Sequence, residues 1–281
     1  MKLKYVNTIW LEDMIQNETR LITQKKANLP KDKKQIEQHN LVFLASHYYD
    51  VAIYLYIKGN TMNVIRKNFQ QAAIVYGQIV ELRILGKVPL QFVSTDPKEM
   101  SWFFTPEKNP EKYRPDYAWT DGRHSLKYAF AAIVSRDQTI SRYIISNIWE
   151  PEDASYLAPN SVTTTTDEHF FSYALREFIL KNHEQALDFL DKVSDDDTYL
   201  TNQKNMLQAI IKINQVNFTE NLHQLLDKHQ KEALKKKNHK NPDWFLCLSA
   251  LGLSKLALQH QIIDLADLPV DHLFFPREFL E

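Results

Sequence analysis

The sequence predicts an all-α fold of antiparallel helix hairpins, tetratricopeptide-like pairs, packed around one buried helix near the C-terminal end. Three observations carry that prediction. Glycine is scarce, five in 281 residues, whereas sheet-rich and phosphate-cradling folds spend more of it on turns. Apolar residues recur near the helical period through most of the chain. The stretch Asn241 to His260 is apolar or small on nearly every side, and Lys255 is the only charge between Trp244 and Leu258. A helix with so little polar face has to be covered by neighbours on several sides. Asn241 suits its cap and Pro242 its first turn. Ser249, Gly252 and Ser254 let other helices come close, and the Ser and Lys interruptions leave it short of a membrane span.

The remaining elements follow in order. Val6 to Lys25 reads as an amphipathic helix. A second runs from Gln35 to Ile57, stopped by Gly59-Asn60, and a third from Thr61 to Leu85, ended by Gly86. Residues 87–120 hold five prolines and no long helical period, and read as a long loop whose aromatics pack over the core. Asp121 to Trp149 reads as a hairpin turning at Arg136-Asp137. After a break at 150–166 come helices from Asp167 to Lys181 and from His183 to Val193. The acidic turn Asp195-Asp196-Asp197 leads to a last pair, Tyr199 to Asn214 and Glu220 to Lys237. Val51-Ala52, Tyr128-Ala129 and Tyr173-Ala174 each precede a tight turn by a similar offset. This loose echo resembles tetratricopeptide-like pairs without a regular repeat. An apolar fraction of 44% is ample for one core, so residues 1–281 are expected to form a single domain.

Charge is unevenly spread. The net charge is −1, yet residues 1–120 carry a net +5, residues 150–200 a net −9 and residues 201–241 a net +5. Blocks of opposite sign can steer a charged partner. Glu177, Glu184, Asp188, Asp191, Asp195, Asp196 and Asp197 are expected to form an acidic wall. We expect the partner to be gripped there, at Glu184, Asp188, Asp191 and Asp195–Asp197, with Trp102, Tyr117 or Trp119 of the long loop as an aromatic anchor. The lysine-rich stretch Lys228 to Lys240 lacks interleaved arginines and aromatics, so it reads as a solvated helix face, and no nucleic-acid partner is expected. The N-terminal stretch has no continuous apolar run of a signal peptide. The lone Cys247 has no partner for an intrachain disulfide, so a cytoplasmic, membrane-free protein is expected.

No catalytic chemistry is expected. There is no HExxH, GxSxG, P-loop or dinucleotide fingerprint, and the single cysteine allows no cysteine–histidine metal set. No metal or cofactor is therefore expected. His47 and Asp50 share a helix face and read as a polar packing seam. Arg114 to His124 gathers Arg114, Asp116, Asp121, Arg123 and His124, but Asp, Thr and Gly before a helix are ordinary capping residues. That stretch reads as a locked loop in preference to a hydrolytic site.

The end of the chain carries a family resemblance. Leu251, Gly252, Leu253, Lys255, Leu256, Ala257 and Leu258 close an apolar helix. A short apolar–acidic link follows, then Pro276, Arg277, Phe279 and Leu280. Over about forty residues this resembles the immunity protein 49 family of bacterial polymorphic toxin systems. The resemblance implies an all-helical protein that binds and neutralises a toxin acting in the cytosol. The shared residues are structural, so it implies no catalytic or ligand residue. A tetratricopeptide-like scaffold binding a protein or peptide is the alternative, with Tyr128 and Tyr173 expected on the inner face of its groove. Oligomeric state is not legible.

Overall fold

The computed structural model describes residues 8–29, 38–85, 91–94, 113–116, 122–150, 166–270 and 272–281. Among these described residues it is an all-α structure of ten α-helices with one small ribbon. The helices are α1 Thr8–Asn28, α2 Gln38–Lys58, α3 Met62–Ile84, α4 Gly122–Ser135, α5 Gln138–Ser146, α6 Thr166–Ile179, α7 His183–Asp191, α8 Thr198–Ile211, α9 Gln215–Ala233 and α10 Leu248–Gln259. The region 87–120, expected as a loop, contains two short strands, β1 Gln91–Ser94 and β2 Tyr113–Asp116, paired antiparallel with Gln91 opposite Asp116. Extended pairing satisfies backbone groups that a Pro-rich stretch cannot place in a helix.

Consecutive helices pack in pairs, α1 on α2, α2 on α3, α4 on α5, α6 on α7 and α8 on α9. One local device ends five of the helices. Gly59, Arg136, Lys181, Ile213 and Gln261 each have positive φ, between 53° and 82°. In each, that residue's amide bonds back three residues and the next residue's amide bonds back five, as from Asn182 to Glu177 and from Asn214 to Ala209. These paired bonds use carbonyls that the helix end would leave without partners. At three of the turns the following residue, Asp137, Asn182 or Asn214, is the N-cap of the next helix. Two residues thus stop one helix and start another.

The segment expected as one long helix from Asn241 to His260 is broken. Asn241 does cap its start, accepting from the Asp243 amide, but only a single 3-10 turn, Pro242–Trp244, follows. The amide of Cys247 then donates to the carbonyl of Phe274 at 2.8 Å, and α10 begins only at Leu248. The chain's closing segment takes the hydrogen bond that a continuous helix would have used. From Leu248 on, the burial expected from the sequence holds: Ala250, Leu251, Leu253 and Ala257 are fully buried. A methyl group at Gly252 would lie 2.1 Å from the ring of Phe130, so the backbone of α10 lies directly against that ring of α4. Phe274, Phe275 and Phe279 are buried too, and Phe279 packs on Phe69 of α3 with ring centroids 6.0 Å apart. The final segment is a strap, held by bonds from Tyr56 to the carbonyl of Leu273, from Arg66 to that of Glu278 and from Lys255 to that of Leu280.

Two polar seams cross the core. His47 and Asp50 lie in a polar seam, where His47 meets Glu18 of α1 at 2.5 Å. Burial pushes the Asp50 carboxyl up to about 7, in the field of Lys127, Asp243, Glu18 and His47. Lys127 binds Asp243 at 2.9 Å and lies 4.0 Å over the Tyr49 ring, joining α4 to α2 and to the turn before α10. In the second seam the ring of His229 is 3.1 Å from the Tyr199 hydroxyl and 3.2 Å from the Trp244 carbonyl. The Tyr199 hydroxyl also approaches the sulfur of Cys247 at 3.6 Å. Among the described residues no helix is long and apolar enough to cross a membrane.

Candidate partner-binding face

The carboxylates predicted to act together lie on α7 and the turn that follows it. Glu184 and Asp188 are one helical turn apart and Asp191 comes three residues later, which places them along one side of α7. The opposite side buries Ala186, Phe189 and Leu190, so the carboxylates are turned outward, and all three are exposed. Asp195, Asp196 and Asp197 are exposed as well. The acidic surface is therefore continuous in sequence with a helix whose apolar side fixes its orientation.

The turn is well tied. Asp197 caps α8 by accepting from the Tyr199 amide at 2.8 Å. Asp195 meets Lys204 at 3.0 Å, and Lys204 also donates to the Val193 carbonyl. Ser194 binds Asp167 at the start of α6. Glu184, Asp188, Asp191 and Asp196 enter no ion pair among the described residues. The six carboxylates thus differ in duty: Asp195 and Asp197 hold the turn, and the other four present uncompensated charge.

One member of the expected acidic wall is not on the surface. Glu177 is buried, bonded by Arg176 at 2.8 Å and by Asn182 at 2.7 Å. Arg176 also reaches Glu150 and the carbonyl of Ile148. Glu177 belongs to a lock in which Arg176 joins α6 to the segment after α5, and a buried carboxylate needs such partners.

Trp102, Tyr117 and Trp119, the expected aromatic anchors, lie outside the described residues. Of the polar run Arg114 to His124, the described part is divided between β2 and the first turn of α4, where Arg123 approaches Glu168 at 3.9 Å. Among the described residues no group of three His, Cys, Asp or Glu side chains is placed to hold a metal ion. Tyr128 and Tyr173, expected to line a scaffold groove, are both core residues. Tyr128 stacks on Tyr76 with ring centroids 4.4 Å apart, and Tyr173 packs edge-on against Phe189.

No protein-family model, no curated protein and no solved structure matches the chain.

Proposed function

We propose that this protein is an immunity-type antitoxin, which binds and neutralises a cognate toxin acting in the cytosol, from a polymorphic or contact-dependent system. The observation that carries the reading is the exposed, uncompensated acidic side of α7, held rigidly by an apolar underside and a pinned turn. Toxins that act on nucleic acids or nucleotides bind phosphate in basic clefts. A fixed row of carboxylates offers such a cleft the charge pattern it is built to receive. A stoichiometric inhibitor needs a rigid complementary surface and no catalytic group, because a surface ordered before binding loses little conformational freedom on docking. The resemblance of the α10 and closing-strap residues to immunity protein 49 supports the same reading.

The test is direct. The purified protein is mixed with the toxin domain encoded by the neighbouring reading frame, and both complex formation and toxin activity are followed. A one-to-one complex with lost toxin activity is the expected result. A stable protein that neither binds nor inhibits that toxin would refute the reading.

A further inference from the structure

A cavity of about 330 Å³ opens where the α4–α5 turn, the α6–α7 turn and the last turns of α10 come together. Four cations line it, Arg136, Arg142, Lys181 and Lys255, against one carboxylate, Glu281. Its floor is apolar, formed by the buried Ile133, Ile145 and Leu256. Protein surfaces ordinarily intersperse their charges, so a concave site lined by so many cations of one sign calls for an explanation. Arg136, Arg142 and Lys181 enter no ion pair among the described residues, and Lys255 donates to the Leu280 carbonyl, not to a carboxylate.

The cations feel one another. Burial, then the nearby Arg136 and Arg66, hold the Lys255 ammonium below the ordinary lysine range. Burial and Arg136 likewise lower Arg66, with Glu281 pulling the other way. An anion entering the cavity would relieve this repulsion, and the same charges that are costly in the empty site would favour the bound state.

We propose that this cavity binds a small phosphate monoester. The lining side chains carry four positive charges against one negative, and a phosphate monoester carries about −1.5 to −2 at neutral pH, more than a monocarboxylate supplies. Planar guanidinium groups such as Arg136 and Arg142 grip phosphate oxygens in pairs, while Lys181 and Lys255 act as point charges. Ile133, Ile145 and Leu256 then meet the carbon part of the ester. The volume is at the small end of ligand sites, which run from about 300 Å³ to about 1,000 Å³, so a sugar phosphate suits it better than a dinucleotide. The site is made of residues distinct from the acidic side of α7, so the assignment does not rest on the toxin reading.

Two lining cations permit a clean test. Arg136 and Lys181 have φ of 71° and 69°, a conformation that asparagine adopts more readily than they do. Arg136→Asn and Lys181→Asn therefore remove charge from the cavity without opposing the turns. Isothermal titration of the full chain with glucose 6-phosphate, glucose, inorganic phosphate and succinate reads out the ligand class. We expect one saturable site for glucose 6-phosphate, tighter than for inorganic phosphate or succinate, and no binding of glucose. Each variant should weaken the ester about tenfold or more, the loss of a charge-assisted bond, with no fall in melting temperature. Absence of saturable ester binding, ester affinity unchanged in both variants, or succinate or inorganic phosphate binding as tightly as the ester would each overturn the proposal.

Discussion

At the scale of single residues, two positions have consequences that can be measured. Burial pulls His229 from its ordinary 6.5 down to about 4. The neutral ring fits its surroundings, since one nitrogen can donate to the Trp244 carbonyl while the other accepts from the Tyr199 hydroxyl. Between these two pH values the unfolded chain binds the proton and the folded chain does not. Stability contributed by neutral His229 is therefore full above about 6.5, and is lost as the pH falls toward about 4, by about 3 kcal/mol in all. Asp50 acts in the opposite sense: raised from 3.8 to about 7, its contribution is full below about 4 and is lost as the pH rises through about 7. Denaturant unfolding of wild type and His229→Gln at pH 7.5, 5.5 and 4.5 isolates the histidine, because the Asp50 term is common to both. The gap between the two proteins should shrink as the pH falls, and a gap constant across that range would refute the assignment. The second position is Ile213, a β-branched residue at φ 53° whose side chain is 77% exposed. A methyl-bearing Cβ is strained there and buries almost nothing in return. Ile213→Gly should stabilise the protein by about 1 kcal/mol, read as a higher denaturant midpoint, and a lower midpoint would show that the side chain matters in a way its exposure does not suggest.

At the scale of elements, the helices were legible because their apolar period survives in each, and apart from the starts of α9 and α10 their bounds fall within a few residues of those expected. The Arg136-Asp137 and Lys181-Asn182 turns were also readable, from their common offset behind Tyr128-Ala129 and Tyr173-Ala174. Ile213-Asn214 makes the same turn, but Asn205-Met206 stands where the other two have a Tyr-Ala pair, so the echo did not mark it. The break before α10 was not legible, because nothing in Phe245-Leu246-Cys247 opposes a helix and the decisive bond comes from Phe274, distant in sequence. His47–Glu18 and Arg176–Glu150 were missed for the same reason, since sequence spacing shows only partners on one helix. Lys255 stood out as the lone charge on an apolar helix, yet its purpose depends on Arg136, Arg142 and Lys181 converging from other elements. The crossing of α10 and α4 gives the test at this scale. Gly252→Ala places a methyl group against the buried Phe130 ring, and the overpacking outweighs the gain in helix propensity. A loss of about 1–3 kcal/mol in a denaturant titration is expected, and no loss would mean that the two helices can separate without cost.

At the scale of the molecule, the structure separates charge by sign: carboxylates along the outside of α7 and its turn, cations around the cavity near the end of α10. The central claim is that the acidic side receives the toxin. Reversing all three turn aspartates would confuse binding with folding, because Asp197 caps α8 and loss of such a cap costs about 1 kcal/mol. Asp188, Asp191 and Asp196 have no such duty, which makes Asp188→Lys/Asp191→Lys/Asp196→Lys the informative variant. The deciding measurement is the association rate of this variant and of wild type with the neighbouring toxin, by surface kinetics at low and at physiological salt. The account predicts an unchanged melting temperature, association about tenfold slower at low salt, and a weaker dependence of that rate on salt. Association at the wild-type rate, with the wild-type salt dependence, would contradict it.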